Sequence, residues 1–233
     1  MKVRGWAGAM LMAVATAGPA WAQTATIDEG TFRILVSGRE VGVETFSIRQ
    51  NGTGADAVII AQGRVALDAA GGGSEVVANV QMTGAGLRPV AYDVEMRGGD
   101  AQRIRGTVTG RRASARTVAG GGQEQWKEYL VTDGAVLLDD GMAHHYYFIA
   151  QRFAAGSSQT PIMIPRESRQ VQVTITAAGT ESVAVGSGSA SARKLVVQPA
   201  GGDARTVWID AEGRVLRVEV PARNYVAVRT AMP

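Results

Sequence analysis

The stretch TFRILVSG, from Thr31 to Gly38, has the alternation of a β-strand that ends in a tight turn. Apolar side chains at every second position point to one face of an extended chain, at Phe32, Ile34 and Val36. Ser37-Gly38 follows, and glycine suits a turn because it adopts positive φ without steric cost. This stretch therefore predicts one strand and the turn that leads to the next.

Similar strand-and-turn units recur along the chain. Runs rich in valine, threonine and isoleucine alternate with period two, as in GRVLRVEVP from Gly213 to Pro221. The turns between them lie at Asn51-Gly52, Gly71-Gly72-Gly73, Gly98-Gly99-Asp100, Gly110, Gly120-Gly121-Gly122, Gly179, Gly186-Ser187-Gly188 and Gly201-Gly202-Asp203. This spacing predicts a mainly β fold, in which about eleven to thirteen strands form a single antiparallel meander that curls into an incomplete barrel, a β-clam.

The composition is that of a folded domain. Hydrophobic residues make up 45% of the chain and prolines number 7, whereas disordered segments are poor in apolar residues. Aromatic residues make up 6%, which argues against an outer-membrane barrel, because such barrels carry aromatic girdles at both membrane interfaces. We expect residues 23–233 to form one β-barrel domain.

The first 22 residues have the pattern of a bacterial secretory signal peptide. Lys2 and Arg4 precede an apolar run from Ala7 to Gly18, and Pro19–Ala22 ends in an Ala-x-Ala cleavage pattern. The apolar run of roughly 12 residues is shorter than the ~20 that span a bilayer. We therefore expect cleavage near Ala22, and no transmembrane segment after it.

The chain has no cysteine, which excludes disulfides, thiolate metal ligands and a lipidated cysteine. An exported chain without crosslinks fits a bacterial periplasmic protein. Loss of Lys2 and Arg4 with the signal peptide leaves 22 of the 24 basic residues against 21 acidic ones, so the net charge falls from +3 to +1. A nearly neutral protein gives no reason to expect a nucleic-acid partner.

The stretch VLLDDGMAHHYYFIAQRF, from Val136 to Phe153, breaks the β pattern. It predicts one short amphipathic helix at about 141–153, of roughly three turns, lying on or plugging the curved sheet. Asp140 stands just ahead and is interpreted as the N-cap of that helix. The apolar stripe of the helix consists of Met142, Tyr146, Ile149 and Phe153.

The same stretch holds the only two histidines, but they do not form a recognisable catalytic or metal site. His144 and His145 diverge by about 100° on a helix, so they cannot share a metal ion in the manner of an i, i+4 pair. Leu137–Gly141 resembles an aspartic-protease loop but lacks its hydroxyl residue and a second copy. We therefore predict no catalytic residues, no cofactor and no metal; the enzymatic alternative is a hydrolase that uses His144 or His145 with Asp139.

A curved sheet with a helix across its mouth can leave an apolar cavity between them. We predict that this cavity binds a lipid or another apolar small molecule, and that the protein is not an enzyme. The predicted ligand-binding residues are Met142, Tyr146, Ile149 and Phe153 on the helix, with Trp126 and Trp208 as further contributors.

A second candidate surface is the arginine-rich hairpin RIRGTVTGRRASAR. Such charges commonly line a solvated face or protect an edge strand from pairing. The functional alternative is contact with an anionic partner such as a lipid headgroup or a lipopolysaccharide phosphate. The residues concerned are Arg103, Arg105, Arg111, Arg112 and Arg116.

Several motifs resemble a group of bacterial exported β-rich proteins that carry a domain of unknown function. These motifs are GTFRILVSGREVGVETFSI, VLLDD ahead of the helix, ARKLVV, and VWIDAEGRVLRVEVP. The group is similar in organisation to the periplasmic lipoprotein carriers, whose incomplete barrel is covered by helices and holds acyl chains. The resemblance implies a β-clam fold and a hydrophobic ligand. A further alternative is a structural or assembly protein of the envelope that contacts a protein partner through exposed strand edges.

Overall fold

The computed structural model describes residues 24–153 and 155–233, and the predicted signal peptide lies outside them. The described residues form fifteen strands in one sheet. The first eight strands are β1 Thr24–Val36, β2 Arg39–Asn51, β3 Val58–Leu67, β4 Glu75–Thr83, β5 Arg88–Arg97, β6 Gln102–Thr109, β7 Arg112–Ala119 and β8 Glu124–Leu130. The others are β9 Val136–Leu137, β10 Ser157–Ile164, β11 Arg169–Val185, β12 Gly188–Pro199, β13 Arg205–Ile209, β14 Val215–Val220 and β15 Tyr225–Arg229.

The sheet is an antiparallel meander, except for its last strand. Both of its edge strands come from the middle of the chain, and the first and last strands of the chain pair at its centre. Sequential strands pair from β1 to β8 and from β10 to β15, and β15 returns to pair with β1. The two-residue strand β9 pairs parallel with β10. The edges of the sheet are β8 and β9, so the barrel is not closed. The predicted mainly β fold with an incomplete barrel is confirmed, and a strand as short as β9, which gives no alternation in the sequence, accounts for part of the higher strand count.

The hairpin predicted from TFRILVSG is present. Phe32 and Ile34 are buried on the inner face of β1. Ser37 and Gly38 both have positive φ, at 53° and 77°, and β2 begins at the next residue. Two successive residues with positive φ match the right-handed twist of a two-residue hairpin, which is why glycine is needed at the second position.

The helix is shorter than predicted and is not amphipathic. A 3-10 turn over Ala143–His145 leads into α1, Tyr146–Ala150, so the helical segment covers eight residues rather than 141–153. Every one of these eight residues is buried. The segment lies inside the open barrel, where protein encloses it, and therefore exposes no face to solvent. No helix in the described ranges is long and apolar enough to cross a bilayer.

Within the described ranges, the buried apolar side chains gather in three clusters. The largest fills the barrel around α1, and a smaller one joins Ile34, Val65 and Met142 at one end of the sheet. The third cluster, around Trp208 and Leu216, involves side chains that alternate with those of the barrel interior. The long β11–β12 hairpin contributes Val183, Val185 and Ala192 to this third cluster, so Trp208 serves a separate core.

Candidate functional site

The start of the helical segment is held by a buried carboxylate from β2. Glu44 Oε2 accepts a hydrogen bond from the backbone N–H of Ala143 at 2.7 Å, and Oε1 accepts one from the N–H of His144 at 3.0 Å. His144 Nδ1 lies 2.6 Å from Glu44 Oε1, so its proton points to the carboxylate. Both side chains are fully buried. Glu44 therefore satisfies the backbone donors that a helix leaves free at its start, a role that the sequence had suggested for Asp140.

The imidazole of His144 fits into a space left by a glycine. Its ring stacks on Phe46, with centroids 5.3 Å apart. Gly63 lies opposite Phe46 in the β2–β3 pairing, and a Cβ atom there would come within 2.2 Å of His144 Cε1. Since no Cβ atom tolerates that distance, the absence of a side chain at Gly63 creates the room that the histidine ring occupies.

The second histidine is neutral and belongs to the same buried group. His145 Nδ1 accepts a hydrogen bond from the backbone N–H of Asp139 at 3.0 Å. Burial, assisted by the charges of His144 and Arg166, holds the pKa of His145 well below its usual 6.5. Burial also raises the pKa of Asp139, although Arg166 Nε donates to its Oδ1 at 2.6 Å and opposes that shift.

This arrangement does not support the hydrolase alternative. His144, His145 and Asp139 do lie close together, but all three are fully buried. His145 meets the backbone of Asp139, whose carboxylate is paired with Arg166. A nucleophilic or general-base histidine needs contact with a substrate in an open cleft, and these side chains have none.

Asp140, which is not the N-cap, anchors the segment to the opposite part of the sheet. Its carboxylate accepts hydrogen bonds from Arg205, at 3.1 Å, and from Arg223. Burial pushes the pKa of Asp140 upward, but Arg223 and Arg205 outweigh that effect and hold the pKa below its ordinary value. The carboxylate is thus ionised and holds the residues before Met142 in place.

A pocket of about 460 Å³ lies between this anchored segment and the inner face of the sheet. It is located where β1, β3 and β5 end and β2 and β4 begin. Asp140, Gly141 and Met142 form the side opposite the strands. Apolar side chains from the strands line the walls, including Ile34, Val41, Val65, Leu67, Val76 and Met96. Charged side chains lie around them, at Glu75, Arg97, Asp100 and Arg166.

Tyr225, at the start of β15, contributes a polar atom beside the pocket. Its side chain lines the pocket, and its hydroxyl is buried with no hydrogen-bond partner anywhere in the described ranges. Burial raises the pKa of Tyr225 well above 10, and the nearby Glu44 carboxylate acts in the same direction. The hydroxyl is therefore a protonated donor, and such a group usually has a partner when it is buried.

The four predicted helix residues divide between the pocket and the core. Met142 lines the pocket. Tyr146 borders a cavity of about 40 Å³ that Met142 and Tyr225 also line. Ile149 is buried in the main core, and Phe153 is half-buried beneath the guanidinium of Arg193.

The two predicted tryptophans lie elsewhere. Trp126 is 68% exposed on the edge strand β8. Trp208 is buried in the third cluster, where its indole N–H donates to Glu181 and the cations of Lys194 and Arg217 lie over its ring. The three clusters cannot be separated from the sequence, because alternation along a strand does not say what covers each face.

The five arginines of the β6–β7 hairpin are paired with carboxylates. Arg103 and Arg105 share Asp93, and the other partners are Asp133 for Arg111, Glu128 for Arg112 and Glu124 for Arg116. Their positive charge is thus balanced within the protein, as expected of a solvated face. Contact with an anionic partner remains a prediction that this geometry does not favour.

The pocket walls and Glu44 were not identified from the sequence. One signal for Glu44 existed, because it shares its face of β2 with Phe46 and Ile48, and a carboxylate on the apolar face of a strand needs a buried partner. The partner itself lies 100 residues away. In the described ranges, no three histidine or acidic side chains converge in a way that could hold a metal ion.

The fold and its pocket define a β-barrel-like protein whose open barrel contains a short helical segment. No family model matches the chain, and no curated protein sequence matches it. The fold is similar to the crystal structure of a β-barrel-like protein of domain of unknown function DUF1849 from Brucella abortus. The TM-score is 0.54 at 9% identity, over 86% of this chain and 93% of that one. At this identity the likeness concerns the fold alone, and the resemblance to the lipoprotein carriers stays a prediction.

Proposed function

We propose that the protein is a non-enzymatic binding protein of the bacterial periplasm that holds one hydrophobic or lipid-like molecule in the pocket beside Met142. The observation that carries the proposal is the pocket itself, with its volume of about 460 Å³ and its apolar walls. Sites for small molecules commonly have volumes of ~300–1,000 Å³, mostly apolar linings and a few polar groups. The predicted signal peptide supports the location.

The distribution of polar groups suggests the form of the ligand. The apolar walls suit an acyl chain or a similar hydrophobic group. The charges around them have both signs, since Glu75, Asp100 and Asp140 accompany Arg97 and Arg166. A rim of mixed charge suits a neutral or zwitterionic polar end better than a polyanion. The side chain of Tyr225 lies beside this mixture of charges, although its hydroxyl is buried.

Two neighbouring valines provide a matched test. Val76 lines the pocket, whereas Val77, the next residue of β4, borders a polar groove that lies on the other side of the sheet. Both are half-buried. Val76→Arg should block the pocket with a long charged side chain, and Val77→Arg should leave it open.

The measurement is native mass spectrometry of protein purified from a bacterial periplasm, followed by titration with dansyl-labelled undecanoic acid. We expect the wild type and Val77→Arg to carry a bound lipid-sized mass and to bind the probe. Val76→Arg should lose both by at least tenfold. A wild type that carries no ligand and binds no probe would refute the proposal, as would equal binding by all three proteins.

A further inference from the structure

Strand β8 is an exposed edge of the sheet. It pairs with β7 on one side, and no strand in the described part of the chain covers the other. Two large apolar side chains on it are exposed, Trp126 at 68% and Leu130 at 66%. Exposed edges with free backbone groups are templates for strand pairing.

The hydrogen-bond pattern identifies which backbone groups of β8 face outward. The N–H of Val131 donates to Arg111 O at 2.7 Å, and the N–H of Ala119 donates to Gln123 O at 2.9 Å. The register between these points is unbroken, so odd-numbered residues of β8 bond to β7. The even-numbered residues therefore direct their N–H and C=O groups to the open side.

One of these outward groups is already in use. The carbonyl of Leu130 accepts a hydrogen bond from Gln170 Nε2 at 2.6 Å. No structural partner occurs within residues 24–153 and 155–233 for the outward backbone groups of Glu124, Trp126 and Glu128. The segment open to pairing is thus Glu124–Glu128, and Trp126 is its midpoint.

We propose that β8 pairs antiparallel with β8 of a second copy of this chain, about a twofold axis through Trp126. Such an axis, perpendicular to the sheet, places residues of equal parity opposite one another. Trp126 then faces the partner's Trp126, while Glu124 faces the partner's Glu128. Each of these pairs exchanges two backbone hydrogen bonds, since all of them are even-numbered.

The alternative register, centred on Lys127, fits less well. It would require the carbonyl of Leu130, which Gln170 occupies. It would also place Lys127 opposite the partner's Lys127, and like charges directly opposite are destabilising.

The side chains around Trp126 complete the interface. The guanidinium of Arg116 lies 5.7 Å from the centroid of the indole, so each of the two facing indoles is covered by a cation on its far side. Glu124 and Glu128 are paired with Arg116 and Arg112 of their own chain, which reduces their repulsion across the axis. A contact this short falls at the small end of protein interfaces, so the dimer should be weak and concentration-dependent.

Sedimentation velocity over a range of protein concentrations tests the dimer with a matched pair of variants. Trp126→Lys should be monomeric at every concentration at which the wild type dimerises. Leu130→Lys removes an equally exposed apolar side chain of the same strand but lies outside the paired segment, so it should still dimerise. Circular dichroism verifies that both variants are folded.

The absence of cysteine allows a second test that does not depend on affinity. Residues opposite each other in a hydrogen-bonded pair have Cα atoms ~5.5 Å apart, within the range of a disulfide. Trp126→Cys should therefore form a covalent dimer under mild oxidation. The two copies of Leu130→Cys would be separated by roughly 27 Å, at about 3.4 Å per residue, and should not.

The proposal would be overturned if the wild type were monomeric at all concentrations. It would also be overturned if Trp126→Lys dimerised like the wild type, or if the two cysteine variants crosslinked at the same rate. Capture of a different extended segment by β8 in place of its own copy counts against it as well.

Discussion

Glu44 of β2 and His144 of the helical segment are joined by two contacts, a backbone hydrogen bond of 3.0 Å and a side-chain contact of 2.6 Å, in a site closed to solvent. This relationship fixes where the segment enters the barrel. Because Met142 comes two residues before His144, it also fixes one side of the pocket.

The buried Glu44 carboxylate should be important for stability. Glu44→Gln keeps the shape but replaces one acceptor oxygen by an amide group that faces backbone donors. Hydrogen bonds to a charged group contribute ~1.5–3 kcal/mol each, so we expect a loss of about 3 kcal/mol in the free energy of unfolding. Urea denaturation measures it. Glu40→Gln, on the exposed part of the same strand, should change the free energy of unfolding by less than about 0.5 kcal/mol. Equal effects of the two substitutions would show that the hydrogen bonds of Glu44 do not stabilise the protein.

The fit between Gly63 and His144 should appear as an energetic coupling. Gly63→Ala places a methyl group against the imidazole and should destabilise the protein by about 1–3 kcal/mol through overpacking. In a His144→Ala background the space is empty, so the same change should be nearly neutral. A double-mutant cycle by urea denaturation measures the coupling. If Gly63→Ala cost the same in both backgrounds, the ring would not occupy that space.

His145 should make stability fall in mild acid. Its pKa is lowered well below 6.5 in the folded protein, so below pH ~6.5 the unfolded chain binds a proton that the folded protein does not. The stability is fully present above pH ~6.5, and it decreases by up to about 1.4 kcal/mol per pH unit below that value until the folded pKa is reached.

The matched variant for this pH effect is His145→Asn. Its side-chain oxygen can replace Nδ1 as the acceptor for the backbone N–H of Asp139. Urea denaturation at pH 7.5, 6.5 and 5.5 gives the two pH dependences. The wild type should lose more stability than the variant over this range. Parallel curves would mean that His145 takes up a proton equally in both states.

The buried ion pair between Arg229 and Asp28 should respond asymmetrically to single and double changes. Arg229 binds both carboxylate oxygens, at 2.9 and 2.6 Å, beside the Phe46 ring. Arg229→Leu leaves an unpaired buried carboxylate and should cost about 3–5 kcal/mol. Adding Asp28→Leu should recover part of that loss in urea denaturation. If the double variant lost as much stability as the two single variants added together, Arg229 and Asp28 would not be a pair.

The sequence predicted the architecture well because alternation is a local property. The strand before the turn at Ser37-Gly38 and the run from Val215 to Val220 both show this alternation. The open barrel follows from many such strands joined by short turns. The position of the helix was also predicted correctly, because the period of apolar residues changes there. Its length was not predicted correctly.

The details of the site depended on contacts that no local pattern contains. Helical periodicity assumes that one face of the helix is in water, but protein surrounds the segment from Ala143 to Ala150, so even its polar residue His144 is buried. The partner of its N-terminus, Glu44, comes from another part of the chain. Trp126 and Trp208 both lie in strands, but the pairing of distant strands makes β8 an edge of the sheet and gives Trp208 a core of its own.

A crystal structure of protein purified without denaturation from a bacterial periplasm would show directly whether the space between Val76 and Met142 holds an apolar ligand. We predict continuous elongated density there, with a polar end near Tyr225 or the surrounding charges. A structure in which Met96 and Met142 close the space against the strands, leaving no room for a ligand, would contradict this prediction.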